Sequence, residues 1–158
     1  MAEEELIEED TQKDKFLTFT IENEFYGIEI KHVIEIIVIQ DISKIPELPE
    51  YIKGIINLRG KIIPVMDVRL RFKKKEKKYN DRTCIIIIEL EDVFVGLIVD
   101  GVSEVVNIPD SEIVSPPEIS RYNNEYIRAI GKTNSGIKLI LDCNKLLKYD
   151  DVKNLQDI

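Results

Sequence analysis

One segment of this chain occurs twice. Tyr51 to Asp67 reads YIKGIINLRGKIIPVMD, and seventy-five residues further on Tyr126 to Asp142 reads YIRAIGKTNSGIKLILD. Each copy is an apolar strand, a polar tight turn, a second apolar strand and an aspartate suited to capping a short helix. A chain that repeats a hairpin this way is expected to fold as two like units. The likeness extends upstream at a constant offset of 69: Tyr26-Gly27-Ile28-Glu29-Ile30 matches Val95-Gly96-Leu97-Ile98-Val99, Val33 meets Val102, and Glu35 meets Glu104.

Period-two alternation then supplies the remaining strands. Phe16–Ile21, Phe25–Ile30 and Val33–Ile39 precede the first copy, and Thr83–Leu90, Val93–Val99 and Val102–Ile108 precede the second. Short helical turns are expected at Val68–Phe72 behind Asp67 and at Asn144–Tyr149 behind Asp142. Five short antiparallel strands leave costly open edges, so each unit is expected to curl into a small barrel. Val33–Ile39 and the four isoleucines Ile85–Ile88 are apolar on both faces, which calls for a hydrophobic seam between barrels or a partner. The fold class is therefore all-β: two small five-stranded β-barrels around a shared hydrophobic core, with short helical turns and a short C-terminal helix. The expected organisation is a disordered acidic tail at 1–14, a first barrel at 15–72, a linker at 73–78, a second barrel at 79–150 and a C-terminal tail at 151–158.

The 158 residues carry a net charge of −8, which argues against nucleic acid as a partner, because phosphate binding needs a basic face. The run Lys73–Lys78 (KKKEKK) lacks interleaved aromatics and reads as a solvated linker rather than a phosphate or membrane site. No apolar run approaches the ~18 residues of a membrane span, and the acidic N-terminus does not read as a secretory signal. A cytoplasmic protein is the simplest expectation. Cys84 and Cys143 lie in or beside apolar runs without CxxC spacing, so they read as reduced thiols rather than a disulfide or metal pair.

No catalytic constellation assembles, and no cofactor is expected. There is no nucleophile elbow and no phosphate-cradling glycine loop. The single histidine, His32, sits at a strand break and reads as a hydrogen-bonding residue. Asp67 and Asp142 hold equivalent places in the repeat and read as helix caps rather than as an acid–base pair. What remains is a surface for other proteins. The first copy has Asn57-Leu58-Arg59-Gly60 at its turn where the second has Lys132-Thr133-Asn134-Ser135. If the fold alone required the arginine, both copies would carry it. Arg59 is thus the sharpest candidate, an outward guanidinium of the kind favoured as an interface anchor.

The segments FLTFTIENEFYGIEIKHVIEI, PEYIKGIINLRGKIIPVMDVRLRF, VGLIVDGVSEVVNI and GIKLILDCNKLL together resemble the CheW family of bacterial chemotaxis coupling proteins, from about Lys15 to Leu147. The resemblance implies a non-catalytic adaptor joining the cytoplasmic tip of chemoreceptors to the regulatory domain of the histidine kinase CheA, a domain of the same fold. It places the protein in the cytoplasm, associated with receptor arrays through its partners. It implies receptor contact at Arg59, with Asn57 of the same turn and Val33 beside the inter-barrel groove. Ile30, Glu35 and Ile36 fall at positions of the family's kinase-facing surface. The rival readings are an isolated CheA-type regulatory domain and a small all-β ligand-binding module. The first predicts kinase segments upstream, and the second needs convergent polar groups in the groove.

Overall fold

The computed structural model describes residues 12–117 and 125–147. Residues 1–11 of the tail expected at 1–14, the tail expected at 151–158 and the end of the expected C-terminal helix lie outside these described residues, while 12–14 form a turn leading into the first strand. Among the described residues, eleven strands, two four-residue helices and two short 3-10 turns follow in order. The strands are β1 (Lys15–Ile21), β2 (Glu24–Glu29), β3 (Val33–Val38), β4 (Ile52–Leu58), β5 (Lys61–Asp67) and β6 (Cys84–Leu90). They continue as β7 (Val93–Val99), β8 (Gly101–Asn107), β9 (Ile113–Val114), β10 (Ile127–Thr133) and β11 (Gly136–Leu141). The helices are α1 (Val68–Arg71) and α2 (Cys143–Leu146). Asp67 caps α1 through the Leu70 amide, and Asp142 caps α2 through the amides of Asn144 and Lys145, as their matched places in the repeat required.

The strands form a six-stranded sheet, ordered β8-β1-β2-β11-β10-β9, and a five-stranded sheet, ordered β3-β6-β7-β5-β4. Neither sheet belongs to one half of the sequence. The units expected at 15–72 and 79–150 have exchanged their hairpins. The β1–β2 hairpin sits among strands of the second half, and the β6–β7 hairpin sits among strands of the first. Four pairings make the exchange, the antiparallel β1 with β8 and β3 with β6 and the parallel β2 with β11 and β7 with β5. The pair Gly27↔Ile140 is the counterpart of Gly96↔Val65. Parallel neighbours cannot be joined by a tight turn, so each must come from a remote part of the chain.

Three apolar clusters follow from this layout. The largest lies between the sheets and takes Leu17, Phe19 and Ile28 from one side and Ile86, Ile88 and Leu97 from the other. A second packs on the five-stranded sheet with Ile56, Ile63, Val65, Ile85 and Ile87. A third fills the six-stranded sheet with Phe16, Ile108, Ala129 and Ile140. The four isoleucines of β6 are thereby all buried, alternating between the first two clusters. The strand β3 differs. Its outer face, with Ile34, Ile36 and Val38, is left open to solvent.

The segment 73–78 is exposed but held down. Lys74 pairs with Glu22 at 3.1 Å and Glu76 with Lys53 at 2.7 Å. The Tyr79 hydroxyl donates to the buried Asp67 carboxylate at 2.8 Å. Because each sheet needs strands from both halves, neither half should fold alone. Residues 1–75 and 76–158 expressed separately are expected to be unfolded by circular dichroism and to regain a cooperative melt on mixing. A cooperative melt of 1–75 by itself would contradict the exchange.

Candidate interaction surface

Leu58 pairs with Lys61, so the β4–β5 hairpin closes on the two residues Arg59 and Gly60. Both have positive φ, +50° and +86°, the requirement of the primed turn that matches strand twist. The Asn57 side-chain oxygen accepts from the Gly60 amide at 2.8 Å and locks the turn. Gly60 adopts this region freely. Arg59 does so at a cost of about 1 kcal/mol, since a left-handed conformation crowds its Cβ.

The Arg59 side chain is 71% exposed and pairs with the Glu35 carboxylate on β3, which is 28% exposed. Two residues that the resemblance implied for different partners thus share an ion pair. Ile36, next to Glu35, points the other way, since successive residues of a strand alternate faces. It is 43% exposed and lies in the open row with Ile34 and Val38. Ile30 and Val33 form a third group, half-buried against the core between the sheets. The six residues therefore resolve into a polar cluster (Asn57, Arg59, Glu35), a half-buried pair (Ile30, Val33) and an apolar row around Ile36. The sequence reading missed Ile34 and Val38. The alternation in VIEIIV, with Glu35 on the opposite face, carries that signal.

The second copy builds neither the turn nor the ion pair, although Val105, the counterpart of Ile36, is likewise exposed. Its turn closes between Thr133 and Gly136, and the positive φ falls on Gly136, at +119°. Glu104, the counterpart of Glu35, makes no ion pair among the described residues. Glu104, Val106, Pro109, Lys132 and Asn134 instead line an open groove of about 560 Å³.

His32 lies 3.3 Å from Glu29, and burial lowers its pKa. Burial pushes the Cys143 thiol up to about 12, while Cys84 is only half-buried. Among the described residues no group of three or more His, Cys, Asp or Glu side chains is placed to hold a metal, and no helix is long and apolar enough to cross a membrane.

Two sheets built by exchange from a duplicated chain, with one turn elaborated in a single copy, define a small all-β module. The family model for the CheW-like domain matches residues 15–151. The chemotaxis protein CheW of Klebsiella aerogenes is 33% identical over 150 residues, covering 94% of this chain and 90% of that protein. The chemotaxis protein CheW of Bacillus subtilis is 36% identical over 135 residues, covering 85% of this chain and 86% of that one. Among solved structures, the scaffolding protein TtCheW from Thermoanaerobacter tengcongensis matches with a TM-score of 0.79 and 38% identity, covering 85% of this chain and 92% of that chain. The chain belongs to the CheW-like family.

Proposed function

We propose that this protein is a non-catalytic adaptor that couples chemoreceptors to the histidine kinase CheA in the cytoplasm of a chemotactic bacterium. Receptor tips engage Arg59, Asn57 and Val33, and the kinase regulatory domain engages Ile30, Glu35 and Ile36. One observation supports this above the others: an exposed arginine held at a left-handed turn position that asparagine or glycine would occupy at lower cost. The conformational cost finds its reason in what the guanidinium binds. Family membership supports a reading with chemotaxis partners, and the open apolar row on β3 offers a face for one. The adaptor then acts by geometry and differential binding rather than by chemistry on this chain.

Titration against a purified receptor-tip fragment and against the CheA regulatory domain tests the reading. Failure to bind either would overturn it. Within it, Arg59→Asn is expected to weaken the receptor complex by ~1–3 kcal/mol and to leave kinase affinity nearly unchanged. Asparagine tolerates the turn, so the melting temperature should hold or rise. Equal loss to both partners, or a large drop in stability, would make Arg59 a structural residue.

A further inference from the structure

The two sheets share a plan but not a filling. In the five-stranded sheet, β4 sends Ile56 and Leu58 into the apolar cluster, and β5 and β6 add Ile63 and Ile87. The counterparts in the six-stranded sheet are Gly131, Thr133, Lys138 and Thr18. Ile108, from the segment after β8, takes the room that a side chain at 131 would need, since a Cβ there would fall 2.7 Å from its Cδ1. The buried cluster is left with Phe16, Ile108, Ala129 and Ile140, to which β10 contributes Ala129 alone. Thr18 is satisfied, its hydroxyl donating to the Glu104 carbonyl at 2.7 Å. Lys138 is not. It is only 2% exposed and makes no ion pair among the described residues, and its Nζ lies 4.0 Å from the centroid of the Phe25 ring. A cation so placed loses hydration without a carboxylate in return.

The hairpin turns differ in the same sense. In the first copy Leu58 packs on the apolar cluster, and the Arg59–Glu35 pair ties the β4–β5 turn to β3. Their counterparts Thr133, Asn134 and Glu104 line the open groove of about 560 Å³ instead. Among the described residues no ion pair ties the β10–β11 turn to β8. The groove is thus the place that the first copy closes with one leucine and one ion pair.

We propose that β9, β10 and the β10–β11 turn form a flap that opens as a local unit, favoured by Lys138, while β4 and its turn stay closed. Partial opening falls to the part of a fold with the fewest apolar anchors, and β10 has one small anchor where β4 has two large ones. The closed flap keeps Lys138 from water, and the open flap returns it, so the charge works against closure. Opening extends the groove inward to Phe16, Ile140 and Lys138.

Hydrogen exchange of the full chain, followed amide by amide by NMR under native conditions, compares the two hairpins position by position. The amides of Gly131 and Thr133 are expected to be about a hundredfold less protected than those of their counterparts Ile56 and Leu58, the change for one or two fewer buried aliphatic anchors. Lys138→Met removes the charge at similar length. It is expected to raise protection at Gly131 and Thr133 about tenfold and to leave Ile56 and Leu58 unchanged. Equal protection of the two hairpins in the unaltered protein would overturn the proposal, whatever the variant does. A folded Lys138→Met protein that leaves Gly131 and Thr133 unchanged, or raises protection in both hairpins alike, would overturn it too, the latter because the gain is then global. No partner protein enters the test, so its failure leaves the adaptor reading untouched.

Discussion

Gly54→Ala is expected to cost about 3 kcal/mol or more of stability and to lower the melting temperature by roughly 10 °C, at ~2–4 °C per kcal/mol for a chain of this size. Gly54 lies at the irregularity where the β4–β5 register shifts, with φ at +146°. A side chain rarely adopts that backbone, and here it also has no room. An added Cβ would fall 2.8 Å from the Ser43 carbonyl carbon and closer still to its oxygen. That carbonyl cannot swing away, because it accepts from the Ile55 amide at 2.9 Å while the Ser43 amide donates back to Ile55 at 2.9 Å. The bridge pins the 39–51 crossing segment along β4. Alanine at 54 must therefore break it or distort β4. Because β4 leads directly into the Arg59 turn, receptor affinity is expected to fall as well. Thermal melts check the first effect. A loss below about 1 kcal/mol would show that the bridge yields freely.

Element boundaries were legible because the signals are local. Alternation placed the strands within one or two residues, and the capping aspartates followed from their positions in the repeat. Ile113–Val114 was missed, being only two residues long. The hairpin exchange was hidden for a different reason. Matching offsets show that two segments fold alike but do not say which copy each hairpin joins. Tyr26-Gly27-Ile28 reads equally well beside β5 or β11, and the choice is made by long-range packing. The Arg59–Glu35 ion pair was hidden in the same way, since Glu35 lies on one edge strand of the sheet and Arg59 in the turn of the hairpin at its other edge. The comparison of copies did isolate Arg59, because it subtracts what the fold needs from both. It could not show that Arg59 itself, as well as Gly60, takes the left-handed conformation.

The second large effect is expected at Arg71, whose importance the repeat conceals, because its counterpart in the second copy is Leu146. Arg71→Met is expected to cost about 3 kcal/mol. The Arg71 side chain is buried, and its Nε donates to the Leu146 carbonyl at 2.7 Å, with a longer bond to Lys145 at 3.4 Å. Its guanidinium lies over Tyr51 at 4.6 Å and over Tyr126 at 4.8 Å, the two tyrosines that begin the repeated segments. Each tyrosine carbonyl in turn accepts from the aspartate that closes its own copy, at 2.7 Å for Asp67 and 2.8 Å for Asp142. One arginine thus clamps both copies at equivalent points. Burying a cation without a carboxylate is unfavourable, so an apolar replacement of similar length recovers desolvation. Against that recovery stand charge-assisted hydrogen bonds worth ~1.5–3 kcal/mol, carbonyls at the end of α2 left unpaired, and two ring contacts worth ~0.5–2 kcal/mol each. The losses outweigh the recovery. Arg71→Lys keeps the charge but has no planar fork to serve a carbonyl and two ring faces together, so it should restore less than half of the stability lost. Denaturant unfolding of both variants decides the matter. A methionine variant within about 0.5 kcal/mol of the parent would mean that packing between the sheets, and not this clamp, holds the two copies in register.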